Sequence, residues 1–197
     1  MSGDLSGKRA VRRELLDARG LMSSEDAARA AAVLARQALN LPELTEATTV
    51  AAYVSVGREP GTRALLDALH ERGVRVLLPV LLADNDLDWG VYRGAEHLAP
   101  APRGLLEPDG ERLGVDAVLN ADAVLLPGLA VDARGMRLGR GGGSYDRVLA
   151  RLAAAGAAPA LVVLLYANEV VERLPEEPHD RPVHAVVTPE TVRRFTA

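Results

Sequence analysis

Cysteine is absent from this 197-residue chain, and aromatic residues make up only 3% of it. The absence of cysteine excludes disulfide bridges, a thiolate nucleophile and Cys-ligated zinc or iron–sulfur sites, and it favours a cytoplasmic location. Hydrophobic residues nevertheless account for 48% of the sequence. This fraction excludes intrinsic disorder and predicts a core built mainly from Ala, Val and Leu.

An excess of basic residues and a long apolar run are also missing. The 23 Lys and Arg are outnumbered by 27 Asp and Glu, giving a net charge of −4, which argues against a general nucleic-acid binder. Gly156 and Pro159 interrupt the most apolar segment, and no apolar signal-peptide core follows the basic N-terminus. We therefore expect a cytoplasmic protein with neither nucleic acid nor membrane as a partner.

Two N-terminal helices are followed by alternating strands and helices. Apolar and β-branched runs predict strands at 49–56, 74–80, 87–92, 123–126, 161–165 and 185–187, and the stretch 94–114 reads as a long loop. Helices are predicted at 5–19, 24–40, 63–72 and 144–155. No repeat or low-complexity linker divides the chain. We predict a single domain over residues 1–197, an α/β/α three-layer sandwich with a mostly parallel, Rossmann-like sheet.

The first predicted helix carries a stripe of cations. A rotation of about 100° per residue places Val11 and Leu15 on one apolar face, and Lys8, Arg12 and Arg19 within about 40° of one another along its edge. Lys8 and Arg12 lie one turn apart, beside the core but not inside it. They can act together on one polyanion, or they can form a solvated helix face.

A glycine-rich loop precedes the helix at 144–155. Four glycines in the five positions 139–143 can bring backbone amides close to an anion at the helix N-terminus. Arg137 and Arg140 flank the loop and can clamp phosphate oxygens, and Asp146 can hold a metal that bridges them. The loop is neither a Walker A sequence nor a dinucleotide fingerprint, which needs glycine where Ser144 stands. The alternative is a flexible turn with a helix cap.

These motifs resemble a known family. Pro-Gly-x-Ala-x-Asp at 127–132, followed by Arg-Leu-Gly-Arg-Gly-x-Gly-x-Tyr-Asp at 137–146, is similar to the signature of the 5-formyltetrahydrofolate cyclo-ligases, also called methenyltetrahydrofolate synthetases. Further blocks match in the same order: Lys8-x-x-x-Arg12, then 53–59, 76–79, 106–108, 179–182 (from His179 to Pro182) and 187–189.

The resemblance implies an enzyme that closes 5-formyltetrahydrofolate, including polyglutamylated forms, to 5,10-methenyltetrahydrofolate with release of ADP and phosphate. It implies ATP as co-substrate and Mg²⁺ as cofactor. We expect the protein to be a monomer. Carried over residue by residue, it implies ATP binding by Lys8, Arg12, Arg137, Gly139, Arg140, Gly141, Gly142, Gly143, Ser144 and Tyr145. It assigns catalysis to Arg137, Arg140 and Tyr145, substrate binding to Val54, Glu59, Arg140 and Ser144, and the metal to Asp146 and Asp180.

Three positions depart from the family pattern. Gly142 replaces a lysine that many members have in the loop, Ser144 replaces an aromatic residue, and Val131 replaces a phenylalanine. The alternative functions are a non-catalytic relative that binds nucleotide or RNA, and a different enzyme on a similar scaffold, such as a sugar-phosphate or acyl transferase.

Overall fold

The computed structural model describes residues 3–175 and 180–195, in which helices pack on both faces of a central seven-stranded sheet. The helices are α1 (Gly3–Leu21), α2 (Ser24–Ala38), α3 (Pro42–Thr45), α4 (Arg63–Glu71) and α5 (Ser144–Ala155). The strands are β1 (Thr49–Ala51), β2 (Arg75–Leu81), β3 (Leu87–Val91), β4 (Leu98–Pro100), β5 (Leu106–Pro108), β6 (Ala123–Leu126), β7 (Ala130–Val131), β8 (Arg137–Leu138), β9 (Ala160–Leu164), β10 (Ala185–Val187) and β11 (Val192–Arg194).

The strand order of the main sheet is β11-β10-β9-β6-β1-β2-β3. The five inner strands are parallel, and the edge strands β3 and β11 pair antiparallel to them. The chain moves outward from β1 to β2 on one side and from β6 to β9 and β10 on the other. A doubly wound sheet of this kind opens a crevice at the carboxyl ends of the strands where the order reverses, here between β1 and β6. The predicted α/β/α architecture is confirmed.

Strand periodicity separates two apolar cores. Val50 of β1 packs in the core beneath α2 and α4, whereas its neighbour Ala51 faces the core beneath α5. The same alternation repeats in the neighbouring strands because successive side chains of a strand point to opposite faces. The sheet is therefore buried on both sides.

Local sequence signals explain two of the helix ends. Ser23 caps α2, its hydroxyl accepting a hydrogen bond from the Asp26 amide at 3.0 Å, and Gly73 has the left-handed backbone (φ 79°) expected of a residue after a helix. In the part of the chain that the structure describes, no helix combines the length and hydrophobicity needed to cross a bilayer.

Three boundaries differ from the prediction. The first strand ends at Ala51 rather than at 56, because Ser55 and Thr62 exchange hydrogen bonds of 2.9 and 3.1 Å that close residues 55–62 into a loop. The predicted loop at 94–114 contains the β4–β5 hairpin. No strand is predicted after 187, but Val192–Arg194 forms the edge strand β11 on β10.

Candidate active site

A cavity of about 320 Å³ opens at the predicted crevice. Its walls come from residues after β1 (Tyr53 to Glu59), from Pro127 and Gly128 after β6, and from 139–146. The remaining lining residues are Pro79, Leu81, Leu87, Arg103, Leu105, Leu106 and Arg137. The volume is at the lower end of the range for small-molecule sites, and the position is where doubly wound folds bind ligands.

The glycine-rich loop is shaped by its backbone. Gly141 and Gly143 have left-handed φ values of 90° and 77°, which glycine adopts at little cost, whereas Gly142 is not left-handed. Gly143 is the N-cap of α5, and no side chain caps this helix. The amide groups of the first turn are thus available to an anion, as the sequence predicts.

The two loop arginines differ in their surroundings. The side chain of Arg137 is only 6% exposed, and it donates to the Pro127 carbonyl at 3.0 Å and to Asp146 Oδ1 at 3.1 Å. Burial lowers the pKa of the Arg137 guanidinium and attraction to Asp146 opposes the shift. Because arginine is not deprotonated in proteins, the group stays charged at neutral pH. Arg140 is half exposed and its Nε lies 3.2 Å from Glu59 Oε1.

Glu59 lines this cavity, as does the carboxylate of Asp146. The second oxygen of Glu59, Oε2, accepts a hydrogen bond of 2.8 Å from the Val56 amide, so the side chain is fixed by its own loop. Val54 is buried in the same wall and Ser144 lies opposite, in the first turn of α5. The four predicted substrate-binding residues (Val54, Glu59, Arg140 and Ser144) therefore line one cavity.

Two buried polar atoms of the wall lack a partner among the described residues: the Tyr145 hydroxyl and Nε of Arg137. Burial, and then repulsion from Glu59, raises the pKa of Tyr145, so its hydroxyl is a proton donor at neutral pH. An unsatisfied buried donor costs about 1–3 kcal/mol, which a bound acceptor recovers. Both residues line the cavity, and their unpaired donors suit a ligand with oxygen acceptors.

Helix α1 lies against the glycine-rich loop through its cations. Arg12 donates from Nε to the Gly139 carbonyl at 2.9 Å, and its guanidinium covers Gly141, where an added Cβ would lie 3.3 Å from Cζ. Lys8 is buried (4% exposed), and its Nζ lies 2.7 Å from Asp180 Oδ2. The prediction that both cations lie beside the core is therefore wrong for Lys8. Neither side chain lines the cavity itself.

The two predicted metal ligands are both held by cations. Asp146 is half exposed and bonded to Arg137, while Asp180 is bonded to Lys8. The charges of both carboxylates act on the Arg137 guanidinium and favour its charged form. Within residues 3–175 and 180–195 no three His, Asp or Glu side chains form a metal-binding group. Mg²⁺ needs only one or two carboxylates when phosphate oxygens and water complete its shell, so this oxygen donor set fits it. His179 of the matching block lies outside the described residues.

Sequence reasoning missed two structural residues around the site. Arg19 is buried, binds Glu169 and donates to the Gly128 carbonyl at 2.7 Å. Asp132 is fully buried and accepts backbone hydrogen bonds from residues 134, 136 and 174, which fixes the β7–β8 hairpin that leads into the loop. The sequence held a clue to each residue. Arg19 lies on the same helix edge as Arg12, and Asp132 belongs to the 127–132 motif.

Comparison with known proteins places this site in a family. Residues 4–189 match the 5-formyltetrahydrofolate cyclo-ligase family. The chain is 47% identical over 149 residues to the 5-formyltetrahydrofolate cyclo-ligase of Mycolicibacterium smegmatis, covering 72% of this chain and 74% of that protein. Its identity to the Escherichia coli K12 cyclo-ligase is 34% over 160 residues, or 80% and 87% of the two chains.

Solved structures agree with this placement. The fold superposes on the 5,10-methenyltetrahydrofolate synthetase of Aquifex aeolicus with a TM-score of 0.81 and 29% identity, covering 96% of this chain and 93% of the other. The Mycoplasma pneumoniae synthetase, with a TM-score of 0.72 and 18% identity over 92% and 98% of the two chains, shares the fold.

Proposed function

This chain belongs to the 5-formyltetrahydrofolate cyclo-ligase family, and we propose that it couples closure of 5-formyltetrahydrofolate to the conversion of ATP to ADP and phosphate. The observation that carries the ATP requirement is the uncapped N-terminus of α5. It follows two left-handed glycines, is flanked by Arg137 and Arg140, and opens on a cavity with unsatisfied donors.

The chemistry requires activation of a poor leaving group. In the proposed reaction the formyl oxygen attacks the γ-phosphorus and ADP leaves, which gives an imidate-like phosphate. The neighbouring N10 then attacks the formyl carbon, phosphate departs with the oxygen, and the N10 proton is lost. Negative charge develops on the phosphoryl oxygens during the first step. The protein must therefore position two substrates and neutralise charge.

The loop and its surroundings suit this task. Arg137, Arg140 and the Tyr145 hydroxyl are the charged and polar donors that we assign to the phosphoryl oxygens. The backbone of 139–144 surrounds the phosphates, with Arg12 supporting the loop from outside through the Gly139 carbonyl. Lys8, on the same edge of α1 as Arg12, is also assigned to ATP binding. Glu59 and Val54 face the pterin, with Arg140 and Ser144 between the two substrates.

Asp146 and Asp180 are the residues that we assign to Mg²⁺. When bound, the ion neutralises phosphate charge. Asp146, which is paired with Arg137 in this structure, would hold the ion through its carboxylate, and the Arg137 guanidinium would then face the phosphates. Asp146→Asn should raise the Mg²⁺ concentration needed for half-maximal phosphoryl transfer, and it should do so more than Asp180→Asn. Wild-type magnesium dependence in Asp146→Asn would reject the assignment.

The remaining features of the proposal concern the whole protein. We propose a single-domain monomer acting in the cytoplasm on mono- and polyglutamylated 5-formyltetrahydrofolate, with no nucleic acid or membrane partner. The absence of cysteine and the net charge of −4 support this setting.

An absorbance assay for the methenyl product, with phosphate measured in parallel, tests the function. Wild-type protein should form product only with ATP and Mg²⁺, and release one phosphate per product. Arg140→Ala should lose most activity, whereas the control Arg147→Ala, on the exposed side of α5, should retain it. Product formed at full rate without nucleotide would overturn the ATP requirement. ATP binding without product would favour a non-catalytic relative.

A further inference from the structure

The cavity extends well beyond the glycine-rich loop. It is lined in turn by residues that follow β6 and β1, by Pro79 and Leu81 near the end of β2, and by Leu87 at the start of β3. These four strands are consecutive neighbours in the sheet. With a spacing of about 4.8 Å between strands, the walls span about 14 Å from the β6 end to the β3 end.

The two ends differ in chemistry. The β6 end holds the loop, Arg137, Arg140 and Glu59. Toward β3 the wall becomes aliphatic, with Pro79, Leu81, Leu87, Leu105 and Leu106. Arg103 is the cation on this aliphatic side, so it stands apart from the two arginines that serve the phosphates.

Arg103 is held in place by an unusual backbone. Arg103 and Asn85 are the two non-glycine residues with left-handed φ in the described chain, at 63° and 67°. They are bonded to one another, Arg103 Nη1 donating to Asn85 Oδ1 at 3.0 Å. L residues rarely adopt this conformation, and such residues cluster where a ligand is bound. The contact fixes the guanidinium at the β2–β3 turn, at the edge of the cavity.

The charge of Arg103 is not neutralised within the described residues. Arg137 and Arg140 have carboxylate partners, whereas the partner of Arg103 is a neutral amide oxygen. The nearby acids face other arginines: Asp84 lies 3.5 Å from Arg147 and Asp86 lies 2.6 Å from Arg151. At the β3 end of the cavity, the Arg103 guanidinium therefore has no carboxylate partner among the described residues.

We propose that Arg103, oriented by Asn85, is the subsite for a carboxylate of the substrate's glutamate moiety. The inference rests on the proposed function. With the formyl group at the glycine-rich loop, the rest of a folate must extend toward β3. Its aminobenzoyl ring then lies on the aliphatic wall and its glutamate reaches the guanidinium. A guanidinium binds a carboxylate with two parallel hydrogen bonds.

Kinetics with a matched pair of substrates test the proposal. Arg103→Ala should raise the KM for 5-formyltetrahydrofolate about tenfold, as expected for loss of one charged contact at a partly exposed site. The KM for 5-formyltetrahydropteroate, which lacks the glutamate, should not change, and neither should the KM for ATP. Arg103→Gly should behave as Arg103→Ala in KM, because glycine keeps the left-handed backbone and removes the same guanidinium. The control Arg112→Ala, a half-exposed arginine outside the cavity, should leave all three KM values unchanged.

Several outcomes would overturn the subsite. Equal KM values for the two substrates in the wild type would mean that the glutamate is not bound. An equal rise for both substrates in Arg103→Ala would mean that the side chain only packs on the ring, and a rise in the KM for ATP would mean that it serves a phosphate. If the wild type forms no product from either substrate, the proposed function fails instead. Calorimetric titration of the same two compounds into wild type and Arg103→Ala then decides the subsite.

Discussion

The buried ion pair between α1 and the segment after β9 gives the sharpest stability prediction. Arg19 and Glu169 are 3% and 1% exposed, and their two hydrogen bonds measure 2.6 and 2.9 Å. Glu169 also accepts from the Tyr166 amide at 2.9 Å. Burial by itself lowers the pKa of Arg19, but its bonds to Glu169 raise it above the ordinary value. The guanidinium is therefore charged at neutral pH.

The substitution Glu169→Gln keeps the shape of the side chain and removes the counter-charge. An uncompensated buried charge destabilises a protein by about 3–5 kcal/mol, whereas replacing both partners with apolar residues is nearly neutral. For a chain of this length each kcal/mol lowers Tm by roughly 2–4 °C, so Glu169→Gln should lower Tm by roughly 6–20 °C. The double variant Arg19→Met with Glu169→Leu should be more stable than Glu169→Gln.

Urea unfolding followed by circular dichroism measures these differences. With an m-value of about 2–3 kcal/mol/M, the midpoint of Glu169→Gln should fall by roughly 1–2.5 M. Glu25→Gln is the control, because Glu25 pairs with Arg29 on the exposed side of α2 and such pairs contribute at most about 1 kcal/mol. Equal midpoints for the two single variants would refute the reasoning, as would a double variant that is less stable than Glu169→Gln.

Three further predictions concern the loop and its supports. Gly142→Lys should tighten ATP binding without loss of stability, because Gly142 is not left-handed and an added Cβ meets nothing within 4 Å. Gly143→Ala, at a residue with φ 77°, should instead lower the free energy of unfolding by about 1–2 kcal/mol. Thermal melts with and without ATP measure both effects. Arg12→Ala should raise the KM for ATP about tenfold, whereas Arg13→Ala, at an exposed neighbouring position, should leave it unchanged. The same KM for ATP in both variants would show that Arg12 does not contribute to ATP binding. For Asp132, burial alone raises the pKa, but hydrogen bonds from an arginine and three backbone amides lower it overall. Its carboxylate therefore stabilises the fold above the unfolded pKa of about 3.9 and loses that effect as pH falls through the folded value. Asp132→Asn should be less stable at pH 7, with a difference that shrinks in acid unfolding titrations.

Short-range signals in the sequence determined the secondary-structure elements and the glycine-rich loop. Ser23 capping α2, Gly73 ending α4 and the glycines before α5 each act within a few residues, so their consequences are readable without the fold. The order of strands and helices likewise predicts a doubly wound sheet, and hence a crevice at the ends of β1 and β6. Strand β11 was not predicted, because it forms by pairing with β10 and its own sequence has no clear alternation of apolar and polar residues.

Tertiary structure alone decided what each charged side chain contacts. Lys8, Arg12 and Arg19 share one helix edge and cannot be distinguished by periodicity. Lys8 is nevertheless buried against Asp180, Arg12 lies on the loop, and Arg19 binds Glu169, 150 positions away in the chain. Helical rotation fixes which residues share a face, but the partner of that face comes from distant segments that only the packing of the sheet brings together. For the same reason the aliphatic wall and Arg103 emerge only in three dimensions, because they join at the β3 end of the cavity from separate strands and loops.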